Sequence, residues 1–347
     1  MGRRNVYEEF SSGDFMRLLI RDLRGDEEGV ASTVGTIMAL LVFLTFLSLI
    51  VNQYVPVWMK DSEASHMNNA LGQFGGLKGA IDLQTLAAQA AQNAGTHYIP
   101  VTASSAVGLG VDGVPIFAAS TIGTLQSFPD AGSFTVQFKY LIQGVRTPVA
   151  EQSNGSIELN VANRYYVPQR VAYENGAVIR YQGDGQVIRA QPTFAVVRSN
   201  NSLDVSFGLV SLYGSGSVTG TSTEVVNTQV FAFDRQDYSN FPSDGIIYVN
   251  HTSSRYGLAW YRFLNQTLAN SLKLGGTYTP LADRVIFTAK IGSAVIYKIQ
   301  AINLPNQMYT MLLEIHNNPA VLALSVFRLQ HAQVQVGIGE QTANVQF

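Results

Sequence analysis

Apolar positions fall into two regimes along this chain, and the change between them sets the architecture. From residue 30 to 59 the run VASTVGTIMALLVFLTFLSLIVNQYVPVWM contains no Asp, Glu, Lys or Arg. Its most apolar part, residues 37–51, is relieved only by Thr45 and Ser48. A helix on a soluble core keeps one polar face, whereas this one is apolar all round. Thirty residues at ~1.5 Å each span ~45 Å, about a bilayer with its headgroups. The run predicts a membrane-spanning helix. The alternative, a buried helix of a soluble protein, needs a second apolar shell of similar length, which the rest of the chain does not offer.

Helical spacing resumes beyond Pro56, where a kink is expected. Ala64, Met67, Leu71, Phe74, Leu77 and Ile81 recur at three and four residues, a heptad-like seam. Gly72, Gly75, Gly76 and Gly79 weaken it by ~1 kcal/mol each relative to Ala and leave a surface that another helix can approach. An Ala/Gln-rich stretch carries the pattern to Gly95. Two partners suit the seam: the chain's own β domain, or sister helices in a bundle.

From Tyr98 the period changes to two. Phe134-Val136-Phe138-Tyr140, Ile157-Leu159-Val161 and Leu203-Val205-Phe207-Leu209 alternate as half-buried strands do. Residues 177–179 and 187–190 flank Gly183-Asp184-Gly185, a hairpin signal. Val285 to Ile291 turns at Gly292-Ser293 into Val295 to Ala301, and strands follow near 309–315 and 322–326. One helix interrupts them. Leu258, Tyr261, Leu264, Leu268 and Leu272 share its face, and Gly275-Gly276 ends it. The expected fold is α+β: a long N-terminal transmembrane and stalk helix, then a mostly antiparallel β-sandwich. The expected divisions are a leader at 1–29, the span at 30–59, a helical stalk at 60–95 and a β-rich domain at 96–347. The Gly/Ser/Thr-rich stretch 214–222 is either an internal boundary or a long hairpin loop.

Composition adds the compartment. Only 13% of the 347 residues are charged and the net charge is -2, about half the usual ~25% charged content. No basic footprint points to nucleic acid. A neutral surface rich in Ser, Thr, Asn, Gln and Gly suits an extracytoplasmic domain. There is no cysteine, which excludes disulfides and thiolate chemistry in this sequence. Five arginines (Arg3, Arg4, Arg17, Arg21 and Arg24) precede the apolar run, and the nearest bases after it are Lys60 and Lys78. That bias predicts a cytoplasmic N-terminus and an exterior β domain. Phe15, Leu18, Leu19 and Leu23 suggest a short amphipathic helix on the inner membrane face, with a frayed leader as the alternative. The tripeptide Arg24-Gly25-Asp26 would lie inside the cell.

The junction Asp26-Glu27-Glu28-Gly29, followed by Val30-Ala31-Ser32, resembles the class III signal peptides of archaeal type IV pilins and archaellins. In that family a prepilin-type peptidase cuts after the Gly, and the apolar segment stays on the mature protein. The resemblance implies a cut between Gly29 and Val30, and homo-oligomers or assemblies with related pilin-like subunits through the N-terminal helix. The chain departs from the pattern at Val34, where many pilins have Glu. An uncut signal anchor is the alternative. The segment Tyr173-Glu174-Asn175-Gly176-Ala177-Val178-Ile179, with Gly183-Asp184-Gly185 and Arg189-Ala190-Gln191-Pro192, is similar to a pattern in archaeal pilin-like surface proteins with β-rich ectodomains. It implies no activity.

Candidate chemistry is sparse. His66, His97, His251, His316 and His331 match no zinc spacing. There is no GxSxG elbow, and Asp184 alone does not make a calcium loop. The glycine-rich 108–113 lacks a phosphate-loop Lys. No cofactor is expected and no enzyme is expected. Asn154, Asn200, Asn250 and Asn265 head Asn-x-Ser/Thr sequons. The first two sit beside turn residues, and Asn265 falls in the predicted helix, where it needs an outward face. The reading is a pilin-like, membrane-anchored surface protein with lipid as one partner. Its rivals are a permanently anchored adhesion or envelope ectodomain and a membrane-tethered enzyme.

Overall fold

The computed structural model describes residues 12–114 and 117–339. The chain divides into two compact units, Met1–Trp58 and Met59–Phe347. Helix α1 spans Ser12–Leu49, a π-helical turn covers Ile50–Tyr54, and helix α2 spans Val55–Ala94. The expected disturbance at Pro56 takes the form of that π turn. Proline donates no hydrogen bond, and its ring crowds the carbonyl four residues back, here that of Asn52. The widened turn, with the Val55 N–H bonded to the Ile50 carbonyl, accommodates Pro56 inside a helix.

The strands follow in chain order. The first six are β1 Ala103–Gly108, β2 Gly123–Phe128, β3 Ser133–Ile142, β4 Val145–Ser153, β5 Ser156–Val161 and β6 Gln169–Glu174. Next come β7 Ala177–Gln182, β8 Gly185–Ala190, β9 Phe194–Ser199, β10 Ser202–Tyr213, β11 Gly216–Gly220 and β12 Thr223–Tyr238. Strand β13 is Ile246–Ser254, and helix α3 is Gly257–Leu272. The last are β14 Gly276–Pro280, β15 Arg284–Ile291, β16 Ala294–Leu304, β17 Met308–His316 and β18 Ala323–Ile338.

Among the described residues three sheets result. Their orders are β1-β12-β18-β10-β9, β11-β2-β5-β6-β7-β8 and β14-β15-β16-β17-β13-β3-β4. All pairings are antiparallel except β10 with β18. The α+β reading, a long apolar N-terminal helix followed by a mostly antiparallel β domain, matches this architecture. Gly183-Asp184 forms the two-residue β7–β8 turn, with Gln182 opposite Gly185. The stretch 214–222 contains β11, which pairs with β2, and residues 59–347 form one compact unit across it.

Two cores lie within that unit. The first gathers Phe134, Phe207, Trp260, Ile299, Leu313 and Phe327 among others, from the five- and seven-stranded sheets and α3, with Ala172, Ala177 and Ile179 of the six-stranded sheet. The second gathers Met67, Ala70, Phe74, Leu77 and Ile81 of α2 with Leu125, Ile157, Leu159, Tyr173 and Val336. The helical seam is thus filled by the chain's own sheets, which is the first of the two partners considered for it. Strand β18 serves both cores, with Phe327 and Leu329 in one and Val334, Val336 and Ile338 in the other. A Cβ added at Gly72, Gly75, Gly76 or Gly79 would meet nothing within 4 Å, so these glycines face open space. Helix α2 ends at Gly95, whose φ of 64° is the left-handed value expected just past a helix end.

Candidate functional site: a buried carboxylate clasp and an unpartnered apolar helix

The β6–β7 hairpin turns on Asn175 and Gly176, with φ of 44° and 78°. Two left-handed residues make the turn type whose twist suits a two-residue hairpin, and Asn-Gly is the pair best able to adopt it. Once the turn is set, the side chains of Glu174 and Asn175 point into the protein. The Asn175 amide donates to Gly208 O at 3.2 Å and accepts from Val210 N–H at 2.7 Å. It thereby continues hydrogen bonding along β10, and Ser153 Oγ donates to the same Asn175 oxygen at 3.1 Å.

Glu174, next to it, is 1% exposed. Its Oε1 accepts from Trp260 Nε1 at 2.7 Å and lies 2.9 Å from His251 Nε2; Oε2 accepts from Ser254 Oγ at 2.8 Å. Those partners come from β13 and α3, so one carboxylate joins a hairpin of the six-stranded sheet to the seven-stranded sheet and its helix. The Phe134 ring centre lies 4.3 Å from that of His251 and 4.7 Å from that of Trp260. A Cβ at Gly132, where φ is 63°, would collide with the Glu174 carboxylate. The clasp is sealed on all sides by protein, and its chemistry is that of a fastening.

A second group has the connectivity of a Ser-His-Glu triad. Ser211 Oγ lies 2.8 Å from His331 Nε2, and His331 Nδ1 lies 3.5 Å from Glu151 Oε2. Burial holds His331 below its ordinary pKa, with the Glu151 charge opposing it. A nucleophile also needs access and N–H donors aimed at the developing oxyanion. Ser211 is 3% exposed and sits inside β10. The N–H of the following residue, Leu212, is bonded to Asn154 O at 2.8 Å. The arrangement ties β10, β18 and β4 together and presents no oxyanion site at Leu212.

Helix α2 is fastened by polar contacts as well as by its seam. Glu63, fully buried, accepts from Thr121 Oγ1 at 2.5 Å and from the backbone N–H groups of Arg164, Tyr165 and Tyr166 at 3.0, 2.9 and 2.6 Å. Gln84 donates to Thr228 O at 3.1 Å and accepts from Val230 N–H at 2.7 Å, beside the β12 bulge at 230–232. Burial pushes the Glu63 carboxyl up, and its four hydrogen bonds together outweigh this and hold it below its ordinary value. A depressed carboxylate pKa stabilises the fold fully above the unfolded value, and the stabilisation is lost as pH falls through the folded value. Glu63→Gln is therefore expected to flatten the acid limb of the stability curve below about pH 4. Urea unfolding at a series of pH values checks this; an unchanged acid limb would contradict the role given to Glu63.

The first unit carries a different feature. Val30, Val34, Ile37, Met38, Phe43 and Phe46 are all more than half exposed, up to 65%. One helical stretch near the N-terminus is long and apolar enough to cross a membrane, and its most apolar window is 0% buried. Thr36 and Thr45 bond to carbonyls one turn back, at Ser32 and Leu41, which removes their hydroxyls from the helix surface chemistry. The Gly29–Val30 bond lies within the helical backbone of α1. Residues 1–11, including Arg3 and Arg4 of the expected leader, lie outside the described residues, as do the side chains of 12–29.

The four sequons are dispersed. Asn200 is exposed at the β9–β10 turn, with φ of 51°. Asn154 is half-buried between β4 and β5, and Asn250 lies within β13, paired on both sides. The Asn265 side chain accepts from Tyr297 Oη at 3.0 Å, so a glycan there would displace that bond. Among the described residues no three His, Asp or Glu side chains group as metal ligands. A groove of about 440 Å³ on the seven-stranded sheet carries the exposed Arg146–Asp244 pair, at 3.1 and 2.7 Å. Sequence reasoning singled out neither Glu63 nor the roles of Glu174 and His251. The adjacent Asn175-Gly176 pair signals the turn that delivers Glu174 inward. Comparison with family models, with curated proteins and with solved structures finds no match.

Proposed function

We propose that this chain is a pilin-like, membrane-anchored structural protein of the cell surface. Its N-terminus is cytoplasmic, the helix at 30–59 is covered by lipid or by sister helices along its apolar run, and the β domain faces outward. The observation that carries this is the charge-free helix whose most apolar window is wholly unburied. Water leaves such a surface unsatisfied at about 25 cal/mol per Å²; lipid and like helices both satisfy it. Exchange between those two environments requires no refolding, so an anchored subunit can become a filament subunit once the leader is cut after Gly29. Lipid, a prepilin-type peptidase and further copies or related subunits are the partners of this reading.

A permanently anchored ectodomain is the second reading, favoured by one observation. The seam from Met67 to Ile81 is already filled by the chain's own sheets, so that face of α2 is not offered to sister helices. N-terminal sequencing of mature protein, with electron microscopy of the same material, separates the two. The pilin reading predicts a start at Val30, filaments, and loss of both in Gly29→Phe. An intact Met1 end on dispersed particles would leave the anchored ectodomain.

A further inference from the structure

A cleft of about 260 Å³ opens on the six-stranded sheet, lined by Thr124, Gln126, Phe128, Glu158, Asn160 and Arg170. It lies outside the clasp, and its chemistry is the same whether or not the helix at 30–59 sits in lipid. The lining is built by strand alternation. Thr124, Gln126 and Phe128 share one face of β2, Glu158 and Asn160 the same face of β5, and Arg170 follows on β6. Cross-strand pairing sets Thr124 opposite Asn160, Gln126 opposite Glu158, and Asn160 opposite Arg170. The side chains form a grid about 4.8 Å across the strands and about 6.7 Å along them.

Five of the six are polar, and four of these end in planar groups. Two amides and one hydroxyl both donate and accept, the carboxylate accepts, and the guanidinium donates. One negative and one positive group cancel, so the cleft selects neither a metal cation nor a phosphate. Phe128 supplies an apolar edge. The Glu158 side chain is 12% exposed, and its contacts at the cleft are long: Ser156 Oγ at 3.5 Å and Arg170 Nη1 at 3.7 Å. Burial pushes this carboxyl above its ordinary value, offset in part by the Tyr256 hydroxyl and the charges of Arg170 and Arg255, while Glu174 adds to the rise. A largely buried carboxyl whose cleft-side contacts are this long gains from a closer hydroxyl donor. The volume lies just below the usual ~300–1,000 Å³ of drug-sized sites, which suits a single ring.

We propose that this cleft binds a neutral saccharide, one sugar ring seated between the amide–carboxyl grid and Phe128. Vicinal hydroxyls meet Gln126, Glu158, Asn160 and Arg170, and the C–H face of the ring meets the aromatic edge. The site would give the surface domain a carbohydrate-adhesion role.

The test uses the full chain in a sugar-free detergent and ligand-observed saturation-transfer NMR. The probes are the methyl pyranosides of glucose, mannose, galactose and N-acetylglucosamine at millimolar concentration, with inorganic phosphate as the anionic probe. The expected result is transfer to the ring protons of at least one glycoside. Gln126→Ala and Asn160→Ala, both at the surface, should each weaken binding about tenfold, with unchanged circular dichroism. No transfer from any of the four, binding by both variants equal to that of the parent, or displacement of the glycoside by phosphate would overturn the proposal. None of these outcomes bears on whether the helix enters lipid.

Discussion

Glu174→Ala is expected to lower the unfolding free energy of the β domain by about 4 kcal/mol, a large part of the ~5–15 kcal/mol that such domains possess. The substitution removes the acceptor for three buried groups: His251 Nε2, Trp260 Nε1 and Ser254 Oγ. Each orphaned donor costs ~1–3 kcal/mol, because water cannot reach it. The cavity left by the side chain adds to that. Glu174→Gln keeps one acceptor oxygen and sets its amide beside Ser254, whose hydroxyl can accept. It is expected to lose about 2 kcal/mol, roughly half as much. Denaturant midpoints for the three proteins, with unchanged slopes, check the ordering. Equal stability of the alanine variant and the parent would show that the clasp is not a principal fastening between the sheets.

The clasp also shows why sequence and fold part company here. Glu174, read locally, is an acidic residue before a turn, which ordinarily lies in water. Its burial depends on partners 77, 80 and 86 residues further along. No short-range pattern encodes that. Glu63 repeats the lesson, since its amide donors lie 101 to 103 residues away.

What is legible is whatever repeats locally. Val136 and Phe138 alternate with Gln137 and Lys139, and the alternation marks β3 because one face is buried and the other wet. Leu264, Leu268 and Leu272 mark α3 by helical spacing, and all three are buried. Strand β18 is harder to read. It runs 16 residues, serves both cores and pairs in parallel with β10, and parallel pairing leaves no turn signal. Strands β12 and β13 escape the pattern reading for related reasons. The first carries mostly half-buried positions, and the second buries His251 as though it were apolar. The seam of α2 is legible as a seam, but the same apolar spacing serves a sheet or a sister helix, so its partner is not.

The apolar helix is the opposite case: its sequence signal is strong and its burial in the chain is absent. Val42 and Phe46, 55% and 65% exposed, stand one turn apart on the same side. Val42→Lys with Phe46→Lys is expected to abolish membrane residence. Each charge near a helix centre costs ~2.5–3.5 kcal/mol on insertion, so the pair costs about 6 kcal/mol. In water the same change is favourable or neutral, because neither side chain is buried within the chain. The β domain, whose two cores lie in residues 59–347, should keep its unfolding midpoint.

Flotation of the parent and the double-lysine variant with lipid vesicles, scored as the fraction rising with the vesicles, tests the membrane helix most directly. The parent should rise almost entirely and the variant should remain with soluble protein. A parent that stays at the bottom of the gradient, or a variant that floats as well as the parent, would contradict a lipid-covered helix at residues 30–59.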